Sequence, residues 1–138
     1  MMTRLTPYLH YAGDCAEAFR FYERALGGRI TMMSTYGEAP ADAHPPGPDH
    51  YVMHAELDLG GGALLHGSDT PPQWVKPMGG FTIALQVDDV EKAEAAYAAL
   101  AEGGQATMPM AETFWAHRFG MLVDKFGIPW MVVCQKDM

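Results

Sequence analysis

The chain contains one pattern of elements twice, and this internal repeat limits its possible folds more than any other feature. The first copy begins with LHYAGDCAEAFRFYERALGG, residues 9–28, and the second with ALQVDDVEKAEAAYAALAEGG, residues 84–104. Each copy is typical of a strand, an acidic helix start, an amphipathic helix and a glycine pair that ends the helix. The repeat therefore predicts two modules of the same design.

Both helix starts have carboxylates at capping spacing. Asp14 can accept hydrogen bonds from the free N–H groups that open the first helix, and Glu17 follows three residues later. Asp88 and Glu91 have the same spacing in the second copy. We therefore expect each helix to be capped by the aspartate of its own copy.

Strand-like segments follow each helix, and glycine turns join the last two strands of each copy. The proline-rich segment 37–50, GEAPADAHPPGPDH, cannot continue a sheet and predicts a long loop. The sequence thus predicts an α+β fold of βαβββ repeated twice within one domain of 138 residues, with module one at about 3–70 and module two at about 78–136. The expected strands after the helices are 29–36, 51–59 and 63–66, then 105–112, 118–123 and 129–135.

Composition excludes several classes of function. The net charge of −8 would repel a phosphate backbone, so we expect no nucleic-acid partner. No apolar run approaches the roughly 20 residues that span a bilayer, and the N-terminus lacks a secretory signal, so we expect a cytoplasmic protein without membrane contact. Cys15 and Cys134 are far apart and form no CxxC pair, which favours two partly buried free thiols.

Three segments carry a resemblance to a known family: PYLHYAGDCAEAFRFYERALGG at 7–28, MHAELDLGGGALLHGSD at 53–69 and MPMAETFWAHRFGMLVDKFGIPWMV at 108–132. Through them the chain resembles the vicinal oxygen chelate superfamily of glyoxalase I, bleomycin-resistance proteins and extradiol dioxygenases, and within it the PhnB-like subgroup. The resemblance implies two βαβββ modules side by side, with curved sheets that half-enclose a cavity and helices outside. It also implies a homodimer.

The resemblance also implies four metal-ligand positions, on the first and fourth strands of each module. They fall on Pro7, Leu65, Thr82 and Met131, which do not suit a hard divalent cation. His66 is one residue from Leu65, and a one-residue change of register would exchange their faces. Even with His66, three ligands are absent. We therefore expect no metal of the family type and no cofactor.

A second metal arrangement stays open. His54 and Glu56 are two residues apart on a strand, so they share a face at roughly 7 Å, and His44, His50 or His117 could complete a three-ligand set. The simpler interpretation is that His54, Glu56 and Asp58 form the solvated face of that strand. Its buried face would then consist of Met53, Ala55, Leu57 and Leu59.

Trp115 and Arg118 are the first candidates for contact with a small molecule. Tryptophan offers a flat apolar face, and arginine offers a planar fork that fits carboxylate or phosphate. Glu112 could pair with Arg118 and orient it. Alternatively, Trp115 seals the sheet edge with Phe114 and Phe119 while Arg118 makes a structural ion pair.

Strand alternation extends this set. If Pro7 and Thr82 point inward, so do residues 9, 11, 84 and 86, whereas His10 and Trp130 face the helices. Such a pocket is apolar and aromatic, and it suits a small apolar or amphipathic molecule. The candidate ligand-binding residues are Tyr11, Tyr36, Thr82, Gln86, Glu112, Trp115, Arg118 and Met131.

The leading hypothesis for function is a PhnB-like protein that binds a small molecule without a metal, with its exact activity and catalytic residues unknown. One alternative is a metal-dependent glyoxalase- or dioxygenase-type enzyme with a non-standard site, or an acid–base enzyme that uses Glu112 and a histidine. Another is a dimeric protein whose cavity is vestigial. No nucleophile motif and no glycine-rich S-adenosylmethionine loop occur in the sequence.

Overall fold

The computed structural model describes residues 3–136, and the chain divides into two units between Lys76 and Pro77. That the units fold as one domain stays a prediction. Both units have the expected order βαβββ, which is confirmed. Unit one contains β1 (Tyr8–Tyr11), α1 (Cys15–Leu26), β2 (Arg29–Thr35), β3 (Val52–Gly60) and β4 (Ala63–Asp69). Unit two contains β5 (Ile83–Gln86), α2 (Val90–Ala101), β6 (Gln105–Ala111), β7 (Ala116–Val123) and β8 (Pro129–Gln135).

Each unit builds one four-stranded mixed sheet. The strand order is β1-β4-β3-β2 in unit one and β5-β8-β7-β6 in unit two. The first strand of each unit pairs in parallel with the last, and the remaining pairs are antiparallel. Two such sheets with one helix each confirm the expected α+β class.

Helix α1 covers one face of the first sheet. Its buried side chains are Cys15, Ala18, Phe19, Phe21 and Tyr22. Gly67 on β4 is needed for this packing, because a Cβ there would lie 2.8 Å from the Phe19 ring. Burial of Phe19 alone stabilises the fold by about 1.5–3 kcal/mol. The sheet residues buried on the same side are Leu9, Tyr11, Ala55, Leu57 and Leu65.

Helix α2 covers one face of the second sheet through small residues. It buries Ala93, Ala96 and Leu100. Trp130 is 1% exposed on β8, and its indole Nε1–H donates to Asp124 Oδ2 at 2.9 Å. Trp130 therefore lies on the α2 side of the sheet, as strand alternation predicts.

The helix caps differ from the sequence prediction. Asp14 occupies the N-cap position of α1 but makes no side-chain cap bond. Instead, Asp69 Oδ1 accepts the N–H groups of Gly13 at 2.8 Å and Cys15 at 3.0 Å. At α2 the cap is Asp89, whose Oδ1 accepts two backbone N–H groups, so the expectation for Asp88 is wrong by one residue.

Asp69 joins distant parts of unit one. It is 3% exposed, and its Oδ2 accepts the N–H of Val52 at 2.8 Å. The Tyr36 hydroxyl donates to its backbone carbonyl. This carboxylate can reach the start of α1 because β4 is the parallel neighbour of β1, with Asp69 opposite Tyr11. The Asp69 side chain thus links the end of β4 to the start of α1 and the start of β3.

The proline-rich segment is a loop, as expected, with short 3-10 turns at Tyr36–Glu38 and Ala41–Ala43. Its base is closed by hydrogen bonds from the Tyr36 N–H to the Tyr51 carbonyl and from the Gly37 N–H to the Asp49 carbonyl.

Within residues 3–136, no helix has both the length and the apolar character needed to cross a membrane.

Both cysteines are free and buried, which confirms the expectation of two free thiols. Burial is the main influence on Cys15 and raises the pKa of its thiol, and the nearby Asp69 and Asp14 carboxylates raise it further. Cys15 therefore belongs to the core and is not an activated thiolate.

We predict that Asp69→Asn lowers the free energy of unfolding by about 2–4 kcal/mol, since the new amide nitrogen faces a backbone N–H and leaves it unsatisfied. Urea denaturation followed by circular dichroism measures the change. The matched control is Asp88→Asn, an exposed aspartate, with an expected change within about 0.5 kcal/mol. Equal effects of the two substitutions would contradict the structural role of Asp69.

Candidate functional site

Each sheet has one face covered by its own helix and one helix-free face. In unit one the buried residues of β3 and β4 point towards α1, so alternation places the residues between them on the helix-free face. Four side chains meet there and form what we call the polar cluster: Tyr8, His54, Glu56 and His66.

Strand pairing assembles the polar cluster. Glu56 on β3 stands opposite His66 on β4, and His66 stands opposite Tyr8 on β1. His54 is two residues from Glu56 on the same strand and therefore shares its face. His54 Nε2 lies 2.9 Å from Glu56 Oε2, and His66 Nε2 lies 3.9 Å from the same oxygen. The Tyr8 hydroxyl is 3.0 Å from His54 Nδ1.

The electrostatics of the polar cluster favour an ionised carboxylate. The hydrogen bond from His54 lowers the pKa of Glu56, and the charges of His66 and His54 lower it further against an opposing effect of burial. His66 Nε2 is buried and, among the described residues, has no hydrogen-bond partner. The cluster thus contains an acceptor-rich carboxylate beside an unsatisfied ring nitrogen.

The family-type metal positions do not fit a metal. Leu65 is 2% exposed and pairs with Leu57 on the α1 side, so His66 rather than Leu65 reaches the helix-free face. Pro7 and Thr82 precede their strands, and Met131 offers only a soft thioether. Even with His66 in place of Leu65, the other three positions therefore lack a nitrogen or carboxylate donor.

The residue that completes the group of His54 and Glu56 is His66, which is not one of the histidines suggested for this set from the sequence. His44 bonds Asp49 within the long loop at 2.7 Å, and this bond raises the pKa of His44. His66 completes the only three-residue group of potential metal ligands found among residues 3–136. His66 takes this place because the register between β3 and β4 puts it opposite Glu56.

The helix-free face of unit two is different in character. Met121 stands opposite Met108 on β6 and Met131 on β8, so three methionines form one row across the sheet. Phe119 lies in the next row, and the Trp115 ring packs against it with centroids 5.1 Å apart. Met108 is 45% exposed and Trp115 40% exposed. With Gln86, which stands opposite Val133, these residues form what we call the methionine–aromatic surface: Gln86, Met108, Trp115, Phe119, Met121 and Met131.

Three of the residues predicted for a ligand site, Gln86, Trp115 and Met131, lie on this surface, and Thr82 is one residue before β5. Tyr11 and Tyr36 do not reach a helix-free face. Tyr11 is 4% exposed, with its hydroxyl 2.9 Å from that of Tyr22 on α1, and Tyr36 is 2% exposed.

The orientation expected for β1 is therefore wrong by one residue. Leu9 and Tyr11 are buried on the α1 side, and His10 lies on the helix-free face with its ring 5.2 Å from Tyr8. The reason is the pairing of β1 with β4, which puts Leu9 opposite Gly67 and Tyr8 opposite His66.

Arg118 points towards α2, not towards the methionine–aromatic surface. Its Nε donates to Glu94 Oε1 on α2 at 3.0 Å. Glu112 pairs instead with Lys136 at 3.1 Å, and this contact lowers the pKa of Glu112. The expected pair of Glu112 with Arg118 is therefore wrong, and Arg118 makes a structural ion pair, as in the alternative interpretation.

Sequence reasoning missed Tyr8, Met108 and Met121 as members of these two faces. Alternation from Met131 cannot identify the methionines on β6 and β7, because their place depends on cross-strand register. Tyr8 is missed because the expected orientation of β1, which assigns Tyr11 to the pocket, is wrong by one residue. In both cases the missing information was the pairing of strands distant in sequence.

Comparisons with known proteins agree with this fold. A family model described as the Glyoxalase/Bleomycin resistance protein/Dioxygenase superfamily matches residues 4–132. The chain is 37% identical over 137 residues to Protein YjdN of Escherichia coli (strain K12). This match covers 93% of this chain and 92% of that protein.

Two solved structures are similar along nearly the whole chain. Protein PA1353 from Pseudomonas aeruginosa is 40% identical with a TM-score of 0.89, over 99% of this chain and 100% of that one. A protein from Bacillus cereus described as a putative 3-demethylubiquinone-9 3-methyltransferase, PhnB protein, is 25% identical with a TM-score of 0.74, over 96% and 99% of the two chains.

We predict that the Arg118–Glu94 pair contributes little to stability, because the two side chains are 37% and 47% exposed. In a double-mutant cycle with Arg118→Ala and Glu94→Ala, the coupling free energy should be about 0.2–1 kcal/mol in urea denaturation. It should fall further in high salt. A coupling above about 2 kcal/mol would show that the pair is a structural anchor despite its exposure.

Proposed function

Because the chain belongs to the glyoxalase/bleomycin resistance protein/dioxygenase superfamily and has PhnB-like structural neighbours, we propose that it binds a small apolar or amphipathic molecule without a metal of the family type. The binding site in this proposal is the methionine–aromatic surface of unit two. A homodimer, which the family resemblance also implies, stays a prediction.

The row of Met108, Met121 and Met131 beside the edge-to-face rings of Trp115 and Phe119 is the observation that carries this proposal. Methionine side chains are polarisable and adapt to the shape of an apolar partner, and sulfur contacts aromatic rings favourably. The exposed part of Trp115 adds a flat face on which a planar molecule can stack. A sheet face with this composition favours contact with an apolar ligand over water.

Gln86 gives the surface a polar end. Its carboxamide can both donate and accept hydrogen bonds. It stands in the row of Val133 and Phe119, next to the methionine row. This arrangement suits an amphipathic molecule whose polar group meets Gln86 while its flat part lies over the methionines.

The same residues support binding rather than a catalysed step. None of the six side chains of the methionine–aromatic surface is an acid, a base or a nucleophile. Met131 also occupies a position at which the family resemblance implies a metal ligand, and a thioether suits neither magnesium nor manganese. Arg118, which could have selected anions, is engaged with Glu94 on α2.

Tryptophan fluorescence tests the proposal directly. In a Trp74→Phe background, Trp115 is 40% exposed and Trp130 is 1% exposed, so Trp115 is the indole that responds to a bound molecule. We expect some planar apolar or amphipathic compounds of a broad panel to shift its emission saturably to shorter wavelength. Addition of EDTA should leave their dissociation constants unchanged. The proposal fails if no compound of the panel gives a saturable response.

Substitution of the methionine row tests where the molecule binds. We predict that Met131→Gln raises the dissociation constant of such a compound at least tenfold, which corresponds to about 1.4 kcal/mol, because a carboxamide interrupts the apolar row. Met78→Gln is the matched control, since Met78 is 38% exposed and lies outside the sheets. Isothermal titration calorimetry measures both. Equal affinities of the two variants would place the binding site elsewhere.

A further inference from the structure

We propose that the polar cluster of unit one is a binding site for a first-row divalent transition metal such as Zn²⁺, with His54, Glu56 and His66 as its protein ligands. This site is independent of the ligand surface proposed for unit two. It also differs from the family-type metal arrangement, because two of its three ligands lie on β3 and all three come from one sheet.

The spacing of the three side chains fits a shared ion. One potential ligand atom from each residue lies within 4.8 Å of the other two. Ligand atoms at about 2 Å from a tetrahedral zinc are separated by about 3.3 Å. The 2.9 Å and 3.9 Å contacts of Glu56 Oε2 with His54 and His66 lie on either side of this value. Small side-chain rotations are therefore enough to place an ion among them.

The unsatisfied nitrogen of His66 is an independent indication. His66 Nε2 is buried and without a hydrogen-bond partner among the described residues. An unpaired buried polar atom costs free energy. The bond between His54 and Glu56 accounts for two members of the cluster as an ordinary solvated pair, but it gives His66 Nε2 no partner. A cation bound by Glu56 and His54 would satisfy this nitrogen.

Tyr8 supplies the outer contact that metal-binding histidines usually need. Its hydroxyl lies 3.0 Å from His54 Nδ1, and its ring stacks on that of His54. When His54 Nε2 binds a cation, the ring proton lies on Nδ1 and donates to the Tyr8 oxygen. This bond holds the ring in the metal-binding orientation.

Exposure and charge are also suitable. The side chains of His54, Glu56 and His66 are 27%, 35% and 22% exposed, so an ion would be partly buried and still accessible from the helix-free face. Three protein ligands leave one or more coordination positions for water or another molecule. Two neutral imidazoles and one carboxylate select zinc, cobalt, nickel or iron over magnesium and calcium.

Titration with metal alone tests this site. Protein without an affinity tag and treated with a chelator is titrated with Zn²⁺ by calorimetry and with Co²⁺ by visible absorption. We expect one ion per chain and d–d bands of a site with mixed nitrogen and oxygen ligands. Glu56→Gln and His66→Gln, which keep the size of the cluster, should each raise the dissociation constant more than about 100-fold. Tyr8→Phe should raise it about tenfold.

His10→Ala is the matched control, because His10 lies on the same face but outside the three-residue group. Its metal affinity should equal that of the unmodified chain, and circular dichroism should show that every variant is folded. The proposal is overturned by the absence of stoichiometric binding, by full affinity in both Glu56→Gln and His66→Gln, or by an equal loss in His10→Ala.

Discussion

The packing of one helix on one face of each four-stranded sheet is the constraint on which the rest of the structure depends. One face of each sheet packs against buried helix residues, Phe19 and Tyr22 of α1 or Ala93 and Leu100 of α2. Because the side chains of a strand alternate between faces, this packing also determines which strand residues lie on the opposite face. Gly67 shows how tight this packing is, since no larger residue fits beneath Phe19. The helices therefore define the helix-free faces without contributing a side chain to them.

The two repeats keep the same scaffold and use their helix-free faces differently. In unit one this face carries histidines, a glutamate and a tyrosine, which point to cation binding. In unit two it carries methionines and aromatic rings, which point to an apolar partner. A strand exposes alternate residues on this face, so its chemistry can change while the buried positions that hold the helix are retained.

Several charged residues with suggestive positions serve the fold instead. Asp69 accepts three backbone N–H groups from α1 and β3, and Asp124 accepts the indole N–H of Trp130. Arg118, in the resembling segment 108–132, makes an exposed ion pair with Glu94 on α2. The partners of Asp69 and Arg118 are distant in sequence, so a local motif gives no indication of the role of these two residues.

The sequence by itself determined the two βαβββ repeats and the approximate bounds of the strands that follow each helix, because hydrophobic periodicity and glycine turns act over a few residues. Its motifs also indicated the family. Only the tertiary structure decided that Tyr8 and His66, rather than Tyr11 and Leu65, reach the helix-free face. It also decided that Asp69 caps a helix more than fifty positions away. The physical reason is that strand register depends on pairing between distant segments, and a shift of one residue exchanges the two faces of a strand.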